Sequence, residues 1–210
     1  MERSHSPETR LTSDEASTLL DLADGAVLEG LAGRSGQEVA LHTLPERLHR
    51  RLGSFVTLTV AGELNGCIGH VEGIEPLGRD VAHLAWSAAF ADPRLPALDW
   101  TDRDALTIEI SILSALTPVA AGSHEQLIGR LRPAIDGLMI RSGRRQGLFL
   151  PSVWEQLPEP RTFVDQLLRK AGLPPGSWSV EMEVFRFDAR KYRRHVGPDA
   201  IENPGVRASR

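Results

Sequence analysis

The spacing of apolar residues predicts an alternation of helices and strands. Between 13 and 31, apolar residues recur at helical spacing behind a Thr12–Glu15 capping box, which predicts a first helix over that range. Between 106 and 113, apolar and polar residues alternate strictly, which predicts a strand with Glu109 on its polar face. The other predicted elements are a hairpin of 54–60 with the segment LNGCIGH, a helix over 76–90, a hairpin of DGLMIR and QGLFLP, a helix over 160–171 and a strand over 180–187.

Both ends of the chain are polar and show no periodicity. Residues 1–10 and 191–210 are therefore expected to be flexible tails, and the folded region is expected to cover 11–190. The order strand–helix–strand followed by hairpin–helix–strand hints at two similar halves. These patterns together predict an α+β fold.

Composition and charge narrow the class of protein. Of 210 residues, 41% are hydrophobic and 25% charged, which is ordinary globular usage, and the net charge of −4 lacks the basic character of a general nucleic-acid binder. Cys67 is the only cysteine, which excludes an intramolecular disulfide or a Cys₄ metal site. No segment approaches the roughly 20 apolar residues of a membrane span and the N-terminus lacks a signal-peptide core, so a cytoplasmic location is expected.

The familiar cofactor and metal motifs are missing from the sequence. The histidines show no HxxxH or HxH spacing, so no metal site is predicted. There is likewise no P-loop, no GxGxxG after a strand and no GxSxG elbow. The sequence therefore leaves any cofactor unknown.

Cys67 is the first candidate for chemistry because Gly66 and Gly69 flank it. Glycines would leave open backbone around the thiol, with amide groups accessible to a ligand. A nucleophilic thiol also needs a neighbouring base or a depressed pKa, and strand alternation places His70 on the opposite face. The alternative is a small buried residue at a position where only a thin side chain fits.

Glu109 is the second candidate, because a carboxylate within a strongly β sequence must meet water, a partner charge or a cleft. A solvated sheet face is the simpler interpretation. If the 76–90 helix covers that face instead, Glu109 needs a cation, and Arg94 and Arg141 are the nearest candidates by residue type. The arginine-rich turn SGRR could bind an anion or be charged only for solubility.

Several blocks of the sequence resemble the AMMECR domain family, whose signature is a Leu-Arg-Gly-Cys-Ile-Gly segment. The blocks, in order, are GELNGCIGH, AAFADPRLPAL, EISILSALTPV, DGLMIRSGRRQGLFLPSVWEQLP and FVDQLLRKAGLPPGSW. The resemblance covers about 11–190 and implies a large mixed sheet with flanking helices, a duplicated β-α-β-β-like motif and two lobes forming a cleft. Prokaryotic members are similar to protein A of the AmmeMemoRadiSam system, which implies a Memo-like protein and a radical-SAM protein as partners.

The family segment falls on Leu64–Gly69, and the usual arginine is replaced by Asn65. This removes a cation from beside the thiol, although Arg94 and Arg141 match the family and could take over its role. The preferred hypothesis is a cleft that binds a small polar or anionic ligand, lined by Cys67, Asn65, Gly66, Gly69, Glu109, Arg94 and Arg141. Thiol chemistry there would make Cys67 the nucleophile and Glu109 a base or orienting acid. A non-catalytic protein-interaction module and a nucleic-acid-binding protein are the alternatives, and no reaction follows from the resemblance.

Overall fold

The principal helices and strands lie where the hydrophobic pattern places them. The computed structural model describes residues 6–34 and 38–197. Its α-helices are α1 (Ser13–Leu31), α2 (Leu77–Phe90), α3 (His124–Ile128) and α4 (Pro160–Lys170). Its strands are β1 (Ser54–Val60), β2 (Glu63–His70), β3 (Leu106–Leu113), β4 (Thr117–Pro118), β5 (Gly137–Ser142), β6 (Arg145–Phe149), β7 (Glu183–Phe187) and β8 (Ala189–His195). Short 3₁₀ turns cover Pro7–Thr9, Leu41–Thr43, Glu46–His49, Trp100–Ala105 and Pro151–Glu155.

The described strands form two antiparallel four-stranded sheets, which confirms the α+β class but divides the strands rather than joining them in one large sheet. The first sheet has the order β2-β1-β3-β8 and the second the order β4-β7-β5-β6. The chain separates into two compact units. Of the described residues, one unit, here called the cysteine unit, contains 11–34, 38–112 and 191–197; the other, the second unit, contains 6–10 and 113–190.

The two units repeat one topology of hairpin, helix and strand. In the cysteine unit β1 and β2 form the hairpin, α2 follows, and β3 pairs with β1. In the second unit β5 and β6 form the hairpin, α4 follows, and β7 pairs with β5. The order within each repeat is therefore β-β-α-β.

The core of the cysteine unit lies between helices α1 and α2 and one face of the first sheet. The inward residues of β3 are all at most 1% exposed: Leu106, Ile108, Ile110 and Ile112. They pack with apolar residues of both helices, including Leu19, Val27, Val81 and Ala85. Since α1 and α2 cover this face, Glu109 and the other odd-numbered residues of β3 lie on the opposite face.

Residues 6–10 and 191–195 belong to the folded structure, although their polar composition predicts flexible tails. Residues 191–195, expected to lie in a flexible tail, belong to β8, where Tyr192 packs against the core and its hydroxyl accepts the N–H of Leu11 at 2.7 Å. Ser6 binds the carboxylate of Asp188 through both its N–H and its hydroxyl, so residues 6–10 are also ordered. The segment ARKYRRH shows no alternation of apolar and polar residues, because most of its side chains are basic. Charged side chains are common on edge strands, and β8 is an edge strand. The rest of the predicted tails, 1–5 and 198–210, lies outside the described residues.

Candidate functional site

Cys67 lies on β2, at the edge of the first sheet, and is partly exposed. In the antiparallel register it stands opposite Thr57 of β1, which in turn stands opposite Glu109 of β3. Directly opposed residues point to the same face, so the thiol, hydroxyl and carboxylate form one row on the face away from α1 and α2. His70 stands opposite Ser54 and points to the helix-covered face, as the alternation predicts.

The peptide groups of Cys67 are held by an aspartate–arginine pair. The N–H of Cys67 donates to Oδ2 of Asp92 at 3.0 Å, and Nη2 of Arg94 donates to the carbonyl of Cys67 at 2.8 Å. Arg94 also binds Asp92 directly, with Nε to Oδ1 at 2.8 Å and Nη2 to Oδ2 at 2.6 Å. One donor and one acceptor outside the edge strand replace the missing neighbour strand, and this closes the sheet edge at Cys67.

Asp92 and Arg94 are both strongly held in their charged forms. The Asp92 side chain is 2% exposed, and the hydrogen bond from the Arg94 guanidinium, followed by that from the Cys67 N–H, holds the pKa of this carboxyl well below its ordinary value. The carboxylate in turn raises the pKa of Arg94. The two charges cancel, so Arg94 brings no net positive charge to the thiol.

Thr57 is the direct hydrogen-bond partner of the thiol. Its Oγ1 donates to Sγ of Cys67 at 3.3 Å. Glu109 lies one strand further, which puts its Cα about 10 Å from that of Cys67, since adjacent strands are spaced by about 4.8 Å. A direct proton transfer between Glu109 and the thiol therefore does not fit this arrangement.

Glu109 pairs with Lys191 of β8, and Oε1 and Nζ are 2.8 Å apart. Arg94 and Arg141 were expected as partners only if the 76–90 helix covered this face, and the structure pairs Glu109 with Lys191 instead. Arg94 is occupied by Asp92, and Lys191 was assigned to a tail. Helix α2 packs against the other face of the sheet and does not cover Glu109. The cation that pairs with Glu109 comes from the neighbouring strand β8.

Close packing requires glycine at both positions that flank Cys67, Gly66 and Gly69. A Cβ on Gly66 would lie 1.9 Å from the carbonyl oxygen of Ala88, because the backbone of α2 rests directly on β2. A Cβ on Gly69 would lie 2.3 Å from the ring of Phe55. The space beside each glycine is thus filled by protein, which explains both residues without a ligand.

Asn65 is the extra residue of a β-bulge. Leu58 pairs with Gly66 and Thr59 pairs with Leu64, which leaves Asn65 without a partner on β1. The residue is 9% exposed; its Nδ2 donates to the carbonyl of Pro96 at a long 3.5 Å, and its buried Oδ1 has no donor among the described residues. A buried acceptor without a donor is costly and marks a place where a ligand donor would be stabilising.

A second polar group lies on the helix-covered face near the end of β2. The Ser54 hydroxyl donates to Oδ2 of buried Asp80 at 2.9 Å, and Nε2 of His70 is 3.8 Å from Oδ1. Burial raises the pKa of Asp80, and the Ser54 hydrogen bond partly opposes this rise. Because this group faces α2 and Cys67 faces away, the two are on opposite sides of the sheet.

Arg141 belongs to the second unit and lies on β5 opposite Glu183, with its guanidinium 5.9 Å from the centre of the Phe185 ring. At the start of β6, just after the adjacent turn, Arg145 donates from Nη1 to the carbonyl of Gly172 at 2.9 Å. Arg141 and Arg145 therefore both make contacts that stabilise the second unit itself. A shared cleft that combines Arg141 with Cys67 stays a prediction.

The described residues contain neither a cluster of metal-ligating side chains nor a membrane-spanning helix. Across 6–34 and 38–197, no group of three or more His, Cys, Asp or Glu side chains is arranged to hold a metal ion. In the same ranges, no helix combines the length and apolar character needed to cross a membrane.

Three residues of the site, Thr57, Asp92 and Lys191, were missed by sequence reasoning. Asp92 had an available signal, since it stands beside Arg94 in the segment DPR, which already figured in the family resemblance. Thr57 had no such signal, because an alignment of the hairpin from Val60 and Glu63 without the bulge would place Thr57 opposite Gly66. Lys191 had none either, because it reaches Glu109 only through the pairing of β3 with β8.

Comparisons with known proteins agree with this fold. The family model described as AMMECR1 matches residues 20–192. A protein of Methanothermobacter thermautotrophicus is 35% identical over 182 residues, covering 86% of this chain and 94% of its own, and protein MJ0810 of Methanocaldococcus jannaschii is 32% identical over 184 residues, covering 86% and 90%. The crystal structure of the uncharacterised protein PH0010 from Pyrococcus horikoshii is similar, with a TM-score of 0.80 and 28% identity over 90% of this chain and 96% of that one. The chain therefore belongs to the AMMECR1 family.

Proposed function

We propose that this AMMECR1-family protein binds a small polar or anionic ligand at the β2 edge beside Cys67. The observation that carries the proposal is the buried Oδ1 of Asn65, which has no donor among the described residues. Asn65 stands two residues before Cys67, in a bulge, and bulges are common next to binding sites. A ligand that donates a hydrogen bond to Oδ1 would offset the cost of burying it.

The charges around the site favour a neutral polar ligand over a simple anion. Asp92 neutralises Arg94, and Glu109 neutralises Lys191. In Arg94, Nε and Nη2 are already bound, and Nη1 has no partner among the residues that the structure describes; the side chain is 61% exposed. A free guanidinium binds an anion through two parallel N–H···O bonds from two different nitrogens. Arg94 offers one nitrogen and belongs to a neutral pair, so it binds a carbonyl oxygen as readily as a carboxylate.

Cys67 would contact the ligand and, if chemistry occurs, would be the nucleophile. Thr57 supports this role because its hydroxyl donates to Sγ and stabilises a thiolate. Glu109 would act through Thr57 and Lys191 rather than on the thiol itself. No reaction is proposed.

The partners follow from the family resemblance and not from a contact in the structure. We propose that the chain acts with a Memo-like protein and a radical-SAM protein, and the cytoplasmic location expected from the sequence stays a prediction. Co-purification from cells with each partner class tests this part. If neither protein co-purifies with the chain, the proposal of these partners is wrong, and the proposal of the ligand site is unaffected.

Ligand binding is tested with a panel of small probes: acetamide, urea, sodium acetate and sodium phosphate. We expect the neutral probes to shift the ¹⁵N NMR signals of the Asn65 side chain and the Cys67 amide, and to slow alkylation of Cys67 by iodoacetamide. Asn65→Leu should lose both effects, while Leu64→Ala, which changes an exposed neighbour, should keep them. The proposal is wrong if no probe acts, or if Asn65→Leu responds like the unchanged protein.

A further inference from the structure

The outward side of β2 carries backbone groups that the sheet does not use. The N–H and C=O of Cys67 bind Asp92 and Arg94, so they point away from β1. In a strand the backbone groups of alternate residues point the same way, so the N–H and C=O of Gly69 also point out of the edge. Among residues 6–34 and 38–197, no side chain or loop backbone bonds to either group of Gly69.

The second unit shows how the same edge is closed elsewhere in this fold. There β6 is the edge strand, and Gly147 packs against α4 much as Gly66 packs against α2. The next residue, Leu148, has its carbonyl bound by Nζ of Lys170 at 2.9 Å, and the strand ends at Phe149. The first sheet binds the corresponding Cys67 carbonyl through Arg94, but β2 continues through Gly69 to His70.

Gly69, in this continuation of the edge, is partly exposed. It has no side chain, and the ring of Phe55 lies on the face of the strand, where a Cβ of Gly69 would point, rather than at its edge. One donor and one acceptor, spaced as in a β-strand, are therefore presented next to the Asp92–Arg94 pair. This pattern complements one residue of an extended peptide, which offers an acceptor and a donor at the same spacing.

We propose that the ligand of the Cys67 site is peptide-like: an extended, uncharged chain of secondary amides that pairs with the N–H and C=O of Gly69. This inference rests on the proposed ligand site and specifies its ligand class. A peptide also supplies a carbonyl for Nη1 of Arg94, and it adds no charge to the neutral pairs Asp92–Arg94 and Glu109–Lys191.

The test is a ¹⁵N NMR titration with N-acetyl-trialanine amide, with the same peptide methylated at every amide nitrogen as its matched control. We expect a saturable downfield shift of the Gly69 amide proton and about fivefold slower hydrogen exchange there, because one new hydrogen bond forms. The amides of Gly147 and Leu148 serve as internal controls and should not move. The methylated peptide should have no effect.

The possible results separate this inference from the proposed function. If acetamide acts at Asn65 and Cys67 but trialanine amide leaves Gly69 unchanged, the ligand site stands and its peptide class is wrong. If the Gly69 shift follows protein concentration without peptide, a second copy of the chain takes the edge and the inference is wrong. If the methylated peptide produces the same shift, backbone pairing is wrong.

Discussion

The backbone N–H of Cys67 and the carboxylate of Asp92 are 3.0 Å apart, although 25 positions separate the two residues in the sequence. Asp92 comes two residues after α2 ends, so the packing of α2 on β2 determines where the carboxylate stands. Arg94 completes the contact by binding both Asp92 and the Cys67 carbonyl. The strand that carries the thiol is therefore held in place by a pair of side chains at its outer edge.

Asp92→Asn should lower the free energy of unfolding at pH 7 by about 2 kcal/mol, because the charge-assisted bonds to Arg94 weaken in a buried place. The folded-state pKa of Asp92 is lowered, so its stabilisation is present above the unfolded-state value of about 3.9 and is lost as pH falls through the folded-state value. The variant should therefore show a shallower loss of stability in acid. Urea unfolding between pH 7 and pH 3 measures both effects, with exposed Asp104→Asn as the control. Equal acid profiles for the two variants would contradict the role of Asp92.

Gly66→Ala should destabilise the protein by more than about 3 kcal/mol or prevent folding, because its Cβ would meet the backbone of Ala88 at 1.9 Å. Gly147→Ala should cost less, about 1–2 kcal/mol, since its nearest contact is 2.9 Å. Gly129→Ala should be close to neutral, because the nearest atom is 3.6 Å away and the residue has a helical conformation. Thermal unfolding of the three variants tests this order, and a Gly66→Ala protein as stable as Gly129→Ala would show that α2 does not rest on β2.

Thr57→Val should slow the alkylation of Cys67 by iodoacetamide about fivefold at neutral pH, because the thiolate loses the hydrogen bond from Oγ1. Thr59→Val is the matched control, since Thr59 lies two residues along β1 on the same face and does not stand opposite Cys67. Mass spectrometry follows the reaction cleanly in a chain with one cysteine. Equal rates for both variants would remove Thr57 from the site.

Asp80→Asn should stabilise the protein at neutral and alkaline pH, since an amide avoids the cost of a buried charge and keeps the hydrogen bond from Ser54. The pKa of Asp80 is raised by burial, so its contribution to stability is complete below the unfolded-state value and is lost as pH rises through the folded-state value. The advantage of the variant should therefore grow with pH and then level off. Chemical unfolding at a series of pH values measures it, and a constant difference between the two proteins would contradict a buried, titrating Asp80.

Local sequence determined the elements that positioned the candidate site. The capping box placed the start of α1 at Ser13, and strict alternation placed Glu109 on the polar face of β3, because both signals depend on residues a few positions apart. The hairpin of β1 and β2 and the separation of His70 from Cys67 follow from the same period of two. Membership of the AMMECR1 family was also readable from the motif order.

Tertiary structure alone decided the partners of these residues. Asp92 reaches Cys67 through the packing of α2, and Lys191 reaches Glu109 through a strand whose basic residues resemble a solvated tail. The meaning of Gly66 and Gly69 also changed, from open backbone for a ligand to space for Ala88 and Phe55. Periodicity reports which face a side chain takes, but contacts between distant segments depend on how helices and sheets pack, and no local pattern contains that information.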